Sequence, residues 1–252
     1  MRFIIYPLRV VILLIMALLW LVLGLIVCLC RPFNKGNVYA LTQMLRLAQR
    51  VIGVKVVMDF DPKSVRKDMP AIFVGLHQSN WDIITMADLP QPGLVCVGKK
   101  SLLYTPIFGI LFFLSGNILL DREKRSKAGE LFLKIVKKIK NEQLSIWMFP
   151  EGTRSGYGPV GKFKSGALHT AMMAKVKVIP FVTSTYAGQI DLGRWNNGEV
   201  HISLLEPLDG ATLERAQINE QTLALRERMI AKLHEMDPQV KRPEGYQLPA
   251  ER

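Results

Sequence analysis

The chain has 252 residues, 49% of them hydrophobic and 21% charged, which supports one globular domain with room for a small accessory element. Lys and Arg number 33 against 21 Asp and Glu, and the resulting formal charge of +12 is spread along the chain and calls for an anionic partner or surface. A negatively charged membrane fits that role better than nucleic acid, because there is no zinc-finger spacing, no basic zipper and no interleaving of basic with exposed-looking aromatic residues.

From the N-terminus, Val10 to Cys30 is a run of 21 uncharged residues, with Arg2 and Arg9 before it and Arg31 and Lys35 after. At about 1.5 Å of rise per residue, such a helix can cross about 30 Å of hydrocarbon. Its length, and the lack of a small-x-small site near Cys30, predict a retained anchor rather than a cleaved signal. The run is apolar on all faces, which favours burial in lipid over a helix lying in the interface, and the basic flanks leave its orientation open. Two of the three cysteines, Cys28 and Cys30, lie inside it and Cys96 stands alone. With no disulfide framework to read, the catalytic part is expected to face the reducing cytoplasm.

Val38 to Ile52 has apolar residues at helical spacing and stops at Gly53. The anchor and this amphipathic helix make up residues 1–53. Residues 54–236 read as an α/β domain. Its predicted strands are Val54–Phe60, Ala71–Leu76, Leu94–Val97, Asn117–Leu120, Leu144–Phe149, Val178–Thr183 and Glu199–Leu204. Helices are expected at Asp82–Leu89, within Leu102–Ser115, and at Ser126–Lys140, Gly166–Ala174 and Thr212–Met236. Leu102 to Leu120 is long enough for a second membrane span, but Pro106, Gly109, Gly116 and several polar residues interrupt it. Strands alternating with helices predict a mixed, largely parallel sheet flanked by helices, behind an N-terminal membrane-anchoring helix. Residues 237–252 form a polar, Pro-containing tail that reads as loosely ordered.

His77 follows a buried-strand pattern and Asp82 opens the next helix, with Ser79 or Asn80 as a natural N-cap. On one continuous helix, residues five apart diverge by about 140°. With His77 still on the turn, the two side chains can meet, and Asp82 can hold the imidazole tautomer while His77 takes a proton from a hydroxyl. No Ser or Cys nucleophile completes the set, so direct attack by a substrate alcohol is the simplest chemistry. Taken alone, an HxxxxD pair reads more readily as a helix cap, and it is a second string that changes the weighing.

The string Phe149-Pro150-Glu151-Gly152-Thr153-Arg154-Ser155 turns sharply at the end of another strand pattern, where open α/β sheets place their sites. Arg154 carries a planar fork suited to phosphate oxygens, and Gly152 lets backbone amides approach an anion. Arg122 and Lys99 also follow strand patterns, so three cations at strand ends point to a phosphate pocket, although each alone reads as a solvated charge. Gly156 to Gly161 formally matches GxGxxG, but Pro159 falls inside it and no strand-to-helix turn frames it, so a dinucleotide site is rejected. His169, His201 and His234 lack partners at ligand spacing, so no metal is expected.

Four blocks in order, His77 to Asp82, Gly116 to Arg122, Phe149 to Ser155 and Val178-Ile179-Pro180, resemble the membrane-bound glycerolipid acyltransferases over roughly Pro70 to Thr185. Leu119-Leu120 stand where family members often carry an aromatic residue and an isoleucine. The resemblance implies transfer of a fatty acyl group to the sn-2 hydroxyl of 1-acyl-sn-glycerol 3-phosphate (lysophosphatidic acid), giving phosphatidic acid. His77 would be the general base and Asp82 its orienting partner. Arg122 and Arg154, helped by Lys99, would bind the acceptor phosphate, and Glu151, Gly152 and Thr153 would belong to the same acceptor-binding block. Acyl-CoA or acyl-acyl carrier protein would be a co-substrate, with no further cofactor, and the enzyme would sit at the inner membrane. Two alternatives stay open: an acyltransferase with a different acceptor, such as glycerol 3-phosphate or another lysolipid, and a non-catalytic protein that binds anionic lipid.

Overall fold

The structure, a computed structural model, describes residues 2–106, 108–120, 128–156 and 158–249, with backbone alone at 128–131. Seven strands form one sheet in the order β1-β7-β6-β2-β5-β3-β4. They are β1 (Lys55–Met58), β2 (Ala71–Gly75), β3 (Leu94–Lys99), β4 (Ile118–Leu120), β5 (Ser145–Met148), β6 (Lys177–Thr183) and β7 (Glu199–Leu204). All neighbours are parallel except β6 and β7, so the mixed, largely parallel sheet expected from the pattern is present.

The central strands β2 and β5 are buried at every position because both faces of the sheet are covered. Alternation of side chains divides β2 between two cores. Ile72 and Val74 join Ile146, Met148, Val178 and Val182 under α5 (Ala128–Glu142), α6 (Gly166–Ala174) and α7 (Ile218–Met236). Ala71 and Phe73 face the other way, with Leu94, Trp147, Ile179, Phe181, Met86 and Leu89. At Gly75, which ends β2, a Cβ would lie 2.1 Å from the Phe181 ring, so glycine lets the strand end pass close against that ring just before His77.

The N-terminal helix α1 runs from Arg2 to Cys30 and is, among the described residues, the one helix long and apolar enough to cross a membrane. It does not stand alone. Arg2 pairs with Asp191 at 3.3 Å, Arg9 donates to the carbonyls of Leu192, Arg194 and Trp195, and Trp20 Nε1 donates to the Leu41 carbonyl at 3.0 Å. Farther along, Gly24 and Cys28 nest against Leu41 of α2 (Asn37–Val51) and Leu111 of α4 (Phe108–Leu114). One stripe of α1 is therefore packed along the domain, while Phe3, Leu14, Leu18 and Leu29 are exposed on its outer side. The Leu102–Leu120 run is divided among a 3₁₀ turn, the seven-residue α4 and β4, with α4 ending before Ser115 and Gly116 while Gly109 sits inside it.

Two expectations are corrected. The helix predicted over Asp82–Leu89 is only Asp82–Thr85, here α3. Pro90 disfavours helical backbone at Leu89, and Asp88 is held instead by Arg46 and by Gln49 Nε2 of α2. The segment after Met236, read as loose, is packed as far as Tyr246. Arg242 meets Asp237 at 2.8 Å, the Lys241 carbonyl accepts from Glu199 N–H at 2.8 Å, and Tyr246 Oη donates to the Ala187 carbonyl at 2.9 Å. Such polar contacts leave no periodic trace in the segment's sequence.

Candidate active site

β2 and β5 are parallel neighbours in the middle of the sheet, with Phe73 beside Trp147 and Val74 beside Met148. Their carboxyl ends therefore open side by side, and the loops that begin at His77 and Phe149 meet there. Ser155 N–H donates to the His77 carbonyl at 2.8 Å, and Gly156 N–H donates to the Gln78 carbonyl at 3.0 Å. The Glu151 carboxylate is buried between the loops. Its Oε1 accepts from His77 N–H at 3.0 Å and its Oε2 from Gly161 N–H at 2.8 Å.

His77 Nδ1 is hydrogen-bonded to Asp82 Oδ2. The imidazole stacks on the Phe149 ring with centroids 4.1 Å apart and planes 12° from parallel. Its side chain is 20% exposed, so with Nδ1 engaged, Nε2 is the nitrogen left to meet a substrate. Asp82 is nearly buried. Besides His77, its Oδ2 accepts from the amides of Gln78 (3.0 Å) and Ser79 (3.4 Å), and its Oδ1 accepts from the Tyr186 hydroxyl. Burial pushes the Asp82 carboxyl up from the ordinary carboxylate range, and the hydrogen bonds and charge of His77 and the two amides pull it back. A well-held carboxylate of this kind can orient an imidazole and would stabilise an imidazolium were Nε2 to take a proton.

The expected N-cap role of Ser79 takes another form. Its Oγ accepts from Trp81 N–H at 3.0 Å, which shapes the turn that lets residues 77 and 82 meet. In the second loop Gly152 has φ +72°, a left-handed turn that suits glycine, and it carries Thr153 and Arg154 outward. Arg154 is exposed, one residue from the Ser155 amide bonded to His77. Lys99 ends β3, one strand beyond β5, and is exposed there. Arg122 lies outside the described residues, two positions past the end of β4. The structure thus brings His77, Asp82, Glu151, Gly152, Thr153 and Arg154 together and sets Lys99 on the same sheet edge.

Sequence reasoning missed Gln78, Gly161 and Tyr186. Tyr186 is 104 residues from Asp82 and no local spacing announces it. For Glu151, the amides of two loops supply the role that the sequence left blank.

A family model described as Acyltransferase matches residues 58–184, half of the chain, and spans both loops. The chain belongs to the acyltransferase family. Among related acyltransferases, the 1-acyl-sn-glycerol-3-phosphate acyltransferase of Escherichia coli is 38% identical over 93% of this chain and 96% of its own length. That of Haemophilus influenzae is 36% identical over 92% and 97%. The crystal structure of the 1-acyl-sn-glycerophosphate (LPA) acyltransferase PlsC from Thermotoga maritima matches with a TM-score of 0.71 at 24% identity, covering 94% of this chain and 98% of that one, a likeness of fold. These findings bear out the resemblance read from the four sequence blocks.

Proposed function

We propose that this acyltransferase moves a fatty acyl group from a thioester of coenzyme A or acyl carrier protein to the sn-2 hydroxyl of 1-acyl-sn-glycerol 3-phosphate, forming phosphatidic acid. The observation that carries the reading is the joining of two loops: a His77–Asp82 pair with Nε2 open, next to an exposed Arg154. One site thus offers a base for a hydroxyl and a guanidinium for a phosphate.

Nε2 of His77 takes the hydroxyl proton as the oxygen attacks the thioester carbonyl. The tetrahedral intermediate collapses with cleavage of the C–S bond, and the departing thiolate recovers the proton from the imidazolium. Throughout, Asp82 holds Nδ1–H and offsets the transient positive charge. Arg154 and Arg122, with Lys99, hold the acceptor phosphate and so place the 2-hydroxyl against the base. The exposed apolar side of α1 seats the domain at the cytoplasmic surface of the membrane, where the lysolipid is dissolved.

The test is product formation by purified protein in detergent, with lysophosphatidate, glycerol 3-phosphate and other lysolipids as acceptors and both thioester classes as donors. Phosphatidate is expected from lysophosphatidate, and His77→Ala is expected to lose nearly all turnover while melting as wild type does. Undiminished turnover in His77→Ala would end the mechanism, and preference for another acceptor would end the substrate assignment.

A further inference from the structure

We propose that Tyr186 is a positioning residue for the transfer reaction, its hydroxyl holding Oδ1 of Asp82 so that Oδ2 stays on Nδ1 of His77. The proposal rests on the acyltransferase reading above and adds a third side chain to the pair.

Packing alone does not explain the residue. Tyr186 is 1% exposed and its ring sits among Ile52, Val54 and Val200, with Trp81 and Ile84 against the same cluster. Phenylalanine would fill that space equally well. A buried phenol without a partner is costly, and this one is given Asp82. Its backbone is aimed as well. Tyr186 N–H donates to Gln78 Oε1 at 3.1 Å, while Gln78 Nε2 donates to the carbonyls of Thr183 and Ser184, both at 2.9 Å. The residue next to His77 therefore latches the segment that delivers the phenol. From the other side, Thr185 N–H donates to Asp237 Oδ1 at 2.7 Å.

Among the described residues Oδ1 of Asp82 receives no hydrogen bond besides that of Tyr186, whereas Oδ2 receives three. Without the phenol, one oxygen of a buried carboxylate loses its donor and the group is free to rotate about its broad terminal torsion. The phenol also favours the carboxylate, and with it the proton-poor form of the coupled His77–Asp82 pair. Its removal therefore makes the pair keep a proton to higher pH. The other charged groups on the surrounding elements are engaged or point outward. Glu151 is held by the amides of His77 and Gly161, Asp237 pairs with Arg242, Asp88 pairs with Arg46, and Arg154 is exposed.

The experiment compares the full chain with Tyr186→Phe, Asp82→Asn and the double variant, by initial rates across pH in detergent and by NMR titration of the His77 imidazole in the resting enzyme. Tyr186→Phe is expected to lower kcat about tenfold with the lysophosphatidate KM unchanged, the loss of one hydrogen bond to a charged group. The acid limb of kcat/KM and the imidazole titration should both move up by about one pH unit. In the Asp82→Asn background the same change should cost nothing further. Tyr186→4-aminophenylalanine keeps the ring and a weaker donor and should fall between wild type and Tyr186→Phe. A His77 titration identical in wild type and Tyr186→Phe overturns the proposal, as does full additivity with Asp82→Asn. The NMR readout needs no substrate, so wild-type protein that makes no phosphatidate would overturn the substrate assignment while Tyr186 is still judged by the titration.

Discussion

Glu151 accepts a hydrogen bond from the main-chain amide of His77 at 3.0 Å, so the loop that runs on to Arg154 grips the loop of His77 and Asp82. Its second oxygen does the same for Gly161 at 2.8 Å. A carboxylate can serve two amides at once because both of its oxygens are acceptors, whereas a carboxamide presents an NH₂ to one of them.

Glu151→Gln is accordingly expected to leave one buried amide facing a donor and to destabilise the protein by about 1–3 kcal/mol. Because the distorted loop is the one that holds His77, kcat should fall together with the melting temperature. Denaturant unfolding and steady-state kinetics on the same preparation check this. An equally stable and equally active Glu151→Gln would show that the loops meet without it.

Arg154 behaves differently, since it is exposed and makes no hydrogen bond to another described residue. Arg154→Ala should leave the melting temperature unchanged and raise the KM for the phosphorylated acceptor about ten- to a hundredfold, the worth of a charge-assisted contact. The KM for the thioester donor should not move. Gly152→Ala should also raise the acceptor KM, but with a lowered melting temperature: its φ of +72° costs an L-residue about 1–2 kcal/mol, and relief of that strain would re-aim Arg154. A donor KM that rises as much as the acceptor KM in either variant would count against a phosphate role.

Cys96 on β3 separates direct attack from an acyl-enzyme. Burial pushes its thiol up to about 12, so at pH near 8 it is protonated and a poor nucleophile. Alkylation by iodoacetamide in detergent should therefore leave turnover intact, and Cys96→Ala should retain activity. Mass spectrometry after donor alone should find no acylated cysteine. Stoichiometric acylation of Cys96 would replace the one-step attack with a covalent route.

Much of the molecule was legible before its structure. Continuous apolar runs marked the buried strands Ala71–Gly75 and Ser145–Met148, and helical spacing marked Gly166–Ala174 at its observed bounds. What failed failed for a physical cause. The short α3 was overextended because periodicity registers apolar residues such as Leu89, and not the pull of Arg46 and Gln49 on Asp88. The chain after Met236 looks loose in the sequence because Arg242 and Tyr246 are held by polar contacts, among them Thr185, Gln189 and Ala187 far off in the chain, that leave no apolar periodicity.

By itself the sequence determined the His77–Asp82 pairing and the glycine turn that carries Arg154, because both depend on residues within one loop, where spacing and backbone freedom decide the geometry. Only the tertiary structure decided that these two loops are neighbours. Periodicity reports whether a strand is buried, not which strand lies beside it, and here α3, β3, α4, β4 and α5 intervene in the chain between β2 and its neighbour β5. The same packing turned Glu151 inward to bind His77 and placed the Tyr186 hydroxyl on Asp82, two contacts that no local pattern encodes.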